Sequence, residues 1–269
     1  MFNLIENEYN EYFRRRIVSS KNLTIEPIIK IFIMTHKDFI NKRYNHAYTI
    51  VADNFSNVKN EYDLNLIFAK KGKLYNMKRS YGEMSKLYFI YQLYKEGKIS
   101  SKYIGLNHYS RYFEFTDKIP NLDKIFKNND VILPKKYFLK TSVMKNYCIR
   151  HICQNFVDSL DIIKKIKPDY YDTALKFAKN KEIYYLNIFI MKKDDFFKYC
   201  EFIFDILFEF DKRYHFKTDE DVLKYTTKIF SDKKKVYRQS RLDGFLAERL
   251  SNIFYNKHFK KIKEYKIVK

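Results

Sequence analysis

Tryptophan is absent from this 269-residue sequence, cysteine occurs only three times, and no apolar run approaches the length of a membrane-spanning helix. A spanning helix needs about 20 mainly apolar residues. Cys148, Cys153 and Cys200 show neither C-x-x-C spacing nor a cluster of metal ligands, so we expect neither a disulfide framework nor a zinc site. The N-terminal segment MFNLIENEYNEYFRRR lacks the apolar stretch of a secretory signal. These absences predict a cytoplasmic protein that meets a membrane only at its surface.

Acidic residues are few relative to basic ones: the sequence has 32 Asp and Glu and 53 Lys and Arg, which gives a formal net charge of +21. Such a field concentrates polyanions near the surface whatever their chemistry, so nucleic acid, anionic lipid headgroups and diphosphate-bearing substrates all fit. A basic nucleic-acid-binding protein is therefore one alternative class. The basic residues are spread along the whole chain and no recognised binding motif occurs, so we expect no nucleic-acid partner.

The chain has 46% hydrophobic residues and can bury one large α/β core. Short apolar runs rich in β-branched and aromatic residues predict strands over residues 28–34, 47–52, 65–69, 102–106, 130–133 and 184–191. Helical spacing predicts helices over 80–96, 121–127 and 194–210, a mainly helical stretch over 141–180 broken at Pro168, and a closing helix from about residue 240. The charged segment 212–235 reads as a mobile loop.

Alternation of strands and helices along the chain predicts a mostly parallel sheet flanked by helices, which is an α/β fold of the Rossmann type. We expect one domain over residues 1–269, with its core at about 28–256 and a basic C-terminal tail at 257–269. In open α/β sheets ligands bind beyond the carboxyl ends of the strands, so polar residues at those ends are the first candidates for a site.

His36 and Lys37 follow the first predicted strand. Lysine is a compact cation well suited to phosphate, so the pair could hold a nucleotide base or its phosphates. The alternative is a solvated strand end. Asn107, His108 and Arg111 follow the strand KYIGL. Arginine can grip a diphosphate through two parallel hydrogen bonds and histidine can orient a leaving phosphate, whereas the alternative is a packed aromatic turn.

Arg241, Gly244 and Glu248 share one face of the closing helix, because they are spaced by three and four residues. A carboxylate on that face could act as a general base while Arg241 anchors a phosphate. The alternative is a solvated Arg–Glu pair of little energetic weight.

Glu83 and Asn187 complete the candidates. Glu83 is by default an acid favoured in the first turn of a helix, and otherwise a ligand contact. Asn187 stands in an apolar strand and must find hydrogen-bond partners, either in the protein or in a ligand. His151 lies between Cys148 and Cys153 with a spacing that does not support a metal site, so we interpret it as helix surface or substrate lining.

Taken in order, six segments resemble DUF4422, a bacterial family found as glycosyltransferases in capsule and exopolysaccharide gene clusters. They are KIFIMTHK, YGEMSKLYFIYQLYKE, YIGLNHYSRYF, DVILPK, LNIFIMKKDDFFKYCEFIFDIL and RLDGFLAERL, and they span about residues 29–256. The resemblance implies a GT-A-like fold, and some members are associated with galactofuranose transfer from a UDP donor. It carries over as site residues His36, Lys37, Glu83, His108, Arg111, Asn187, Arg241 and Glu248.

Two positions depart from the family and fold pattern. Members often have Arg where Ser110 stands here, and many GT-A enzymes have a metal-binding Asp-x-Asp where this chain has Asn107-His108-Tyr109. We therefore expect no cofactor and no dependence on Mn²⁺ or Mg²⁺. His108, Arg111 and Lys37 would neutralise the departing UDP instead.

The resemblance leads to a hypothesis of inverting transfer from a UDP-sugar to a saccharide or a lipid-linked acceptor. Glu248 is the predicted base, Asp243 is its nearby substitute, and His108 assists at the diphosphate. The basic tail and helix surface would hold the protein peripherally at the anionic inner face of the cell membrane. A catalytically inactive scaffold of a polysaccharide assembly complex is the remaining alternative.

Overall fold

A computed structural model describes residues 28–36, 47–52, 66–67, 74–115 and 118–268 of the chain. The strands are β1 (Ile29–Met34), β2 (Tyr48–Ala52), β3 (Leu66–Ile67), β4 (Tyr103–His108), β5 (Tyr112–Phe113), β6 (Val131–Pro134), β7 (Tyr137–Phe138), β8 (Glu182–Ile183), β9 (Phe189–Lys192), β10 (Ile262–Tyr265) and β11 (Ile267–Val268). Lys37 lies outside the described residues, so its predicted role stays a prediction.

The α-helices are α1 (Lys78–Tyr81), α2 (Glu83–Lys95), α3 (Leu122–Asn128), α4 (Val143–Arg150), α5 (Cys153–Ile166), α6 (Tyr171–Lys179), α7 (Lys193–Tyr214), α8 (Asp219–Ile229), α9 (Lys233–Gln239) and α10 (Leu242–His258). Short 3₁₀ turns occupy Tyr75–Met77 and Pro168–Tyr170. None of the helices in the described ranges is long and apolar enough to cross a membrane.

Seven strands form one sheet in the order β10-β6-β9-β4-β1-β2-β3. The pairs β1–β2, β1–β4, β2–β3 and β6–β10 are parallel, and β9 runs antiparallel to β4 and β6. In this register His108 lies opposite Met34, and Tyr265 lies opposite Pro134. The carboxyl ends of β1, β4, β6 and β10 therefore meet the amino end of β9 at one edge of the sheet, which we call the site edge.

Helices cover both faces of the sheet. The larger apolar cluster joins the sheet to α2, α5, α6, α7 and α10 through fully buried side chains such as Phe196, Tyr199 and Phe254. A smaller cluster on the opposite face packs Phe126 of α3 against Ile31 and Ile33 of β1. Each fully buried aromatic or aliphatic side chain contributes about 1.5–3 kcal/mol. The predicted α/β class, a mostly parallel sheet flanked by helices, is confirmed.

Two predicted elements near the site edge are wrong in detail. The helix predicted over residues 80–96 is interrupted at Gly82, which has φ 55° and separates α1 from α2. The strand predicted over 184–191 begins only at Phe189, because Leu186 and Asn187 have φ of 83° and 49° and turn the chain. Positive φ values are incompatible with either regular element. Asn187 thus lies in a turn beside the sheet, and Asn107 and His108 belong to β4 itself.

The charged segment predicted as a mobile loop over 212–235 is instead mainly helical. α8 starts with a capping box in which Thr218 accepts from the Asp221 backbone and Asp221 accepts from the Thr218 backbone. The segment predicted as a basic tail also has regular structure, since β10 pairs with β6 and β11 pairs with β5. Its strand completes the site edge rather than trailing from the core.

A disulfide joins Cys148 to Cys153, contrary to the prediction from their spacing. Cys148 lies in the last turn of α4 and Cys153 begins α5, so the turn around His151 brings the two sulfurs together. Cys200 is buried and unpaired. The spacing argument failed because the turn between α4 and α5, which spacing alone does not reveal, brings the ends of the two helices together.

Candidate active site at the carboxyl edge of the sheet

The sheet has its topological switch point between β1 and β4, because the chain goes from β1 to β2 on one side and returns to β4 on the other. Ligands of open α/β sheets bind outside such a point. His36 lies here, with its ring packed edge-on against Tyr109 at a centroid distance of 5.4 Å. Asn107 is completely buried, and neither its amide oxygen nor its amide nitrogen has a hydrogen-bond partner within the described parts of the chain.

Glu83 is the first residue of α2 and forms the centre of a polar cluster. Its Oε1 accepts a hydrogen bond from Asn187 Nδ2 at 3.0 Å and lies 3.8 Å from His108 Nε2. Its Oε2 lies 3.7 Å from Arg241 Nη2. Burial alone would raise the pKa of Glu83, but the proximity of the His108 imidazole and the hydrogen bond from Asn187 outweigh it and lower the pKa to about 2. Glu83 is therefore a fixed negative charge.

Gly82 sets the position of this carboxylate. With φ 55° and ψ −128°, it adopts a conformation that side-chain-bearing residues rarely enter, and it turns the chain so that Glu83 opens a new helix. A Cβ at this position would come within 3.4 Å of Arg241 Nη2. The glycine thus allows α2 to begin at Glu83, close to the Arg241 guanidinium.

Asn187 connects Glu83 to α10. Its Oδ1 accepts from Ser251 Oγ at 3.0 Å while its Nδ2 donates to Glu83, and its side chain is buried. Asn252 binds the backbone of Tyr184, which leads into the same turn. Its Oδ1 accepts from the Tyr184 N–H at 2.7 Å, and its Nδ2 donates to the Tyr184 carbonyl at 2.8 Å. The turn before β9 is therefore held by hydrogen bonds from one helix.

Glu248 of α10 is the second carboxylate of the cluster. It accepts from Arg249 Nη1 at 2.8 Å and from the Leu186 N–H, and its side chain is 19% exposed. Burial raises the pKa of Glu248 and the charge of Glu83 adds to this, although Arg249 opposes both. A partly accessible carboxylate with a raised pKa suits proton abstraction from a hydroxyl.

Asp243 does not belong to this cluster, which corrects its prediction as a substitute base. It is fully buried, and its Oδ2 accepts from Ser80 Oγ at 2.5 Å. Nearby, Tyr81 donates to Asp211 at 2.5 Å. Burial raises the pKa of both Asp243 and Asp211. The charge of Asp219 adds to the rise at Asp243, and the charge of Asp243 adds to the rise at Asp211. A carboxylate without accessible surface cannot reach an acceptor hydroxyl, so Asp243 has a structural position between α1 and α10.

The helix face predicted from the spacing of Arg241, Gly244 and Glu248 does turn toward α1 and α2. Arg241 and Glu248 interact with Glu83, while a Cβ on Gly244 would lie 3.3 Å from the Tyr81 carbonyl oxygen. His151 is packed against Phe245 at 4.1 Å between ring centroids, and burial followed by the charge of Arg249 lowers its pKa to about 3. It is a neutral packing residue.

A cavity of about 530 Å³ opens at the same edge, over β6, β9 and β10. Four cationic residues line it, together with two tyrosines and three apolar residues. They are Arg111, Lys135, Arg150, Lys266, Tyr137, Tyr185, Pro134, Leu186 and Ile267. No acidic residue of the described chain is among them. Arg111 reaches the cavity because it forms a tight turn with His108, whose N–H donates to the Arg111 carbonyl at 2.9 Å.

Comparisons with known proteins agree with this architecture. The model of a domain of unknown function, DUF4422, matches residues 30–260. The chain belongs to the DUF4422 family. Among solved structures, it is similar to the apo structure of the bifunctional glycosyltransferase WbbM, with a TM-score of 0.65 and 21% identity, over 89% of this chain and 45% of that one. The DUF4422 chain thus spans less than half of that structure, and the likeness establishes the fold.

A second solved structure, the mannosyltransferase Ktr4p from S. cerevisiae, matches 64% of the DUF4422 chain and 59% of its own at 11% identity. Its TM-score of 0.33 is too low to support an argument. No curated protein matches the chain in sequence.

The structure of this DUF4422 chain brings five predicted residues together, namely Glu83, His108, Asn187, Arg241 and Glu248. His36 and Asn107 lie beside them at the switch point, and Arg111 lines the cavity. Sequence reasoning missed the other three cations of the cavity. The sequence offers one signal for them: Lys135 comes directly after the predicted strand DVIL and Pro134, at a strand end where ligands bind.

Proposed function

We propose that this chain is a glycosyltransferase that moves a sugar from a UDP-sugar to a glycan or lipid-linked acceptor in surface polysaccharide synthesis. The family resemblance favours galactofuranose as the donor sugar. The observation that carries the proposal is the pair of carboxylates, Glu83 and Glu248, whose pKa values are shifted in opposite directions at the ligand-binding edge of a GT-A-like sheet. Two neighbouring acids whose surroundings shift their pKa values apart are typical of an active site.

Glu248 is the proposed general base of an inverting displacement. Its carboxylate takes the proton from the acceptor hydroxyl as that oxygen bonds to the anomeric carbon, and the bond from this carbon to the UDP oxygen breaks with its electron pair. Arg241, which is half exposed, and His108 stabilise the negative charge that develops on the diphosphate. Glu83 orients both side chains and is a positioning residue.

The metal-binding Asp-x-Asp of many GT-A enzymes has no counterpart after β4, and the described residues contain no group of three metal-ligating side chains. The proposal therefore places cationic side chains where a divalent ion would act. Calorimetric titration with UDP, with and without Mn²⁺, tests it: we expect binding in both conditions. Binding that requires Mn²⁺ would retain the transferase and overturn the metal-independent step.

Failure of UDP to bind in either condition would favour the other classes of function. A steeply salt-dependent affinity for DNA or RNA would then identify a nucleic-acid-binding protein. A stable fold that binds neither nucleotide nor nucleic acid would identify an inactive scaffold.

Replacement of the base tests the chemical step directly. Glu248→Gln keeps the size of the side chain but cannot accept the proton, so we expect kcat to fall by about 10²–10⁴-fold with unchanged UDP affinity. The matched control is Glu220→Gln on the exposed first turn of α8, which should retain full turnover. Turnover of Glu248→Gln within a few fold of the parent would remove Glu248 from this role.

A further inference from the structure

Arg249 of α10 is a buried cation beside the proposed base. Its side chain is only 2% exposed, and its Nη1 donates to Glu248 Oε2 at 2.8 Å. The same Nη1 donates to the Phe245 carbonyl at 3.0 Å, because the side chain runs back toward the start of its own helix. One nitrogen therefore holds the Glu248 carboxylate against the backbone of α10.

Glu248 is the acid that compensates this cation. Within the described ranges no second acid forms a salt bridge with Arg249, and its buried Nε has no hydrogen-bond partner there. The rings of Tyr147 and Tyr185 lie 5.0 and 6.0 Å from the guanidinium carbon and attract its charge. A buried charge is costly unless it is paired. Arg249 is therefore compensated only while Glu248 keeps its negative charge.

Other groups also act on the charge of Glu248. Burial raises its pKa, and Glu83 on α2 adds to the rise. Arg249 lowers the pKa most, followed by the N–H of Leu186 and by Arg241 at the start of α10. Without Arg249, burial would meet much weaker opposition, and the carboxyl would keep its proton to a higher pH.

The uncharged titratable groups around Arg249 do not replace it. Burial raises the pKa of Tyr147 and of Tyr185, so both phenols are neutral near pH 7. Burial and then the charge of Arg249 lower the pKa of His151 to about 3. Because burial is the larger cause, we expect His151 to stay neutral when Arg249 is removed.

We propose that Arg249 is a positioning residue for the base, which fixes the Glu248 carboxylate against α10 and keeps it ionised, ready to accept the proton of the acceptor hydroxyl. The inference rests on the proposed transferase function and adds a residue that controls its base. Once Glu248 holds the proton, the buried cation lacks its counter-charge. Arg249 therefore also favours release of that proton to solvent before the next turnover.

An NMR titration of the Glu248 carboxyl carbon on the whole chain, assigned by the loss of its signal in Glu248→Gln, tests the contact directly. We expect Arg249→Met to raise the pKa of Glu248 by about 1–3 pH units, because it removes an opposite charge in contact. Arg249→Lys keeps the charge and should titrate close to the parent. Arg238→Met, at an exposed position on α9, makes the same change in net charge as Arg249→Met and should leave the titration unchanged. An equal rise in both methionine variants would mean a general charge effect and would overturn the proposal.

Arg249→Gln is a second neutral variant, whose amide can still donate to the Phe245 carbonyl. We expect the same rise in the pKa of Glu248 as in Arg249→Met. If a folded neutral variant titrates like the parent, Arg249 does not control the base and the proposal is wrong. If neither neutral variant folds, the cation serves the fold and the proposal is likewise overturned.

Release of UDP from UDP-galactofuranose, with water as the acceptor, connects the titration to turnover. Because the base must be ionised, we expect the rate to rise with pH through the pKa of Glu248, and this rise to lie about 1–3 pH units higher in Arg249→Met. A rate lowered by the same factor at every pH would mean a structural role alone and would overturn the proposal.

The two readouts separate this inference from the proposed function. If the parent releases UDP but Glu248 titrates identically in Arg249→Met, only the role of Arg249 is overturned. If the parent neither binds UDP nor releases it, the proposed function is overturned, and the catalytic role of Arg249 with it, even where the titration responds to Arg249→Met.

Discussion

Glu83 shows how one buried charge can organise several neighbours. Its carboxylate is shared by Asn187, His108 and Arg241, which come from a turn, a strand end and a helix start. A buried carboxylate is stable only when such partners compensate for its lost hydration. The same contacts that lower its pKa therefore fix the geometry around it.

Replacement of this residue gives a prediction with a defined pH dependence. The pKa of Glu83 is about 2 in the folded chain against an ordinary value of 4.5, so its stabilising contribution is complete above about pH 4.5 and is lost as the pH falls toward 2. We expect Glu83→Gln to reduce the free energy of unfolding by about 3 kcal/mol at pH 7. Urea denaturation at several pH values should show this difference shrinking below pH 4.5. A difference that stays constant down to pH 3 would contradict the assignment.

Asn107 presents the opposite case, a buried amide without partners in the described chain. Such a group costs about 1–3 kcal/mol. Asn107→Leu has a similar volume and removes that cost, so we expect the melting temperature of the ligand-free protein to rise by a few degrees. Because a donor at the switch point would use the amide, UDP affinity should fall in the same variant. A lower melting temperature would show that the amide is already satisfied.

The residues of the carboxylate cluster could be predicted, and those of the cavity could not, for physical reasons. Sequence segments that resemble the family, or that have helical spacing, contain Glu83, His108, Arg241 and Glu248. Lys135, Arg150 and Lys266 are three among 53 cations and come together only through the folding of distant segments. Asp243 was misplaced because it is five residues from Glu248, which puts it about 140° around the helix.

At the level of elements, Gly82 separates α1 from α2 and so determines where α2 begins and where Glu83 lies. Alanine there would be forced into a strained backbone conformation, and its Cβ would contact the Arg241 guanidinium at 3.4 Å. We expect Gly82→Ala to cost about 1–3 kcal/mol of stability and to lower turnover per folded molecule.

Gly97 is the matched control for Gly82, because it also has positive φ but a Cβ there would meet nothing within 4 Å. Gly97→Ala should lose stability and keep its specific activity. Thermal melts and turnover, normalised to folded protein, measure both effects. Equal loss of activity in the two variants would mean that Gly82 acts only through global stability.

Helix and strand types were mostly predictable, whereas turns and caps were not. The long apolar helices α7 and α10 and the buried strands β1 and β4 follow directly from periodicity. α8 escaped prediction because its first turn, Asp219 to Asp221, is acidic and only Val222 and Thr226 are buried. The turn at Leu186 and Asn187 was not predicted, because apolar residues continue through it in the sequence. Its shape is fixed by hydrogen bonds from Asn252 and Ser251, which lie on a helix distant in sequence.

At the scale of the whole molecule, the C-terminal residues are part of the sheet and of the cavity. β10 pairs with β6 at one edge of the seven-stranded sheet, and Lys266 and Ile267 line the cavity beside it. The sequence predicts a basic tail here because charged residues dominate the segment and apolar residues are few. In the strand Lys263 and Glu264 are exposed, while Ile262 and Tyr265 are partly buried. Parallel pairing with β6 is a long-range contact that local pattern does not encode.

The net charge of +21 gives the last prediction, that the chain binds anionic bilayers from the surface. Each Lys or Arg near an anionic bilayer contributes about 1 kcal/mol, and this attraction decays over a Debye length of about 10 Å at 0.1 M salt and about 3 Å at 1 M. We expect the protein to sediment with vesicles containing phosphatidylglycerol at 0.1 M salt, to be released at 1 M salt, and to ignore neutral vesicles. Phe138→Ser with Ile149→Ser should weaken binding further, because these exposed apolar side chains would enter the bilayer interface. Binding that persists at 1 M salt and in the double variant would contradict an electrostatic contact, because neither the charge nor the two apolar groups would then account for it.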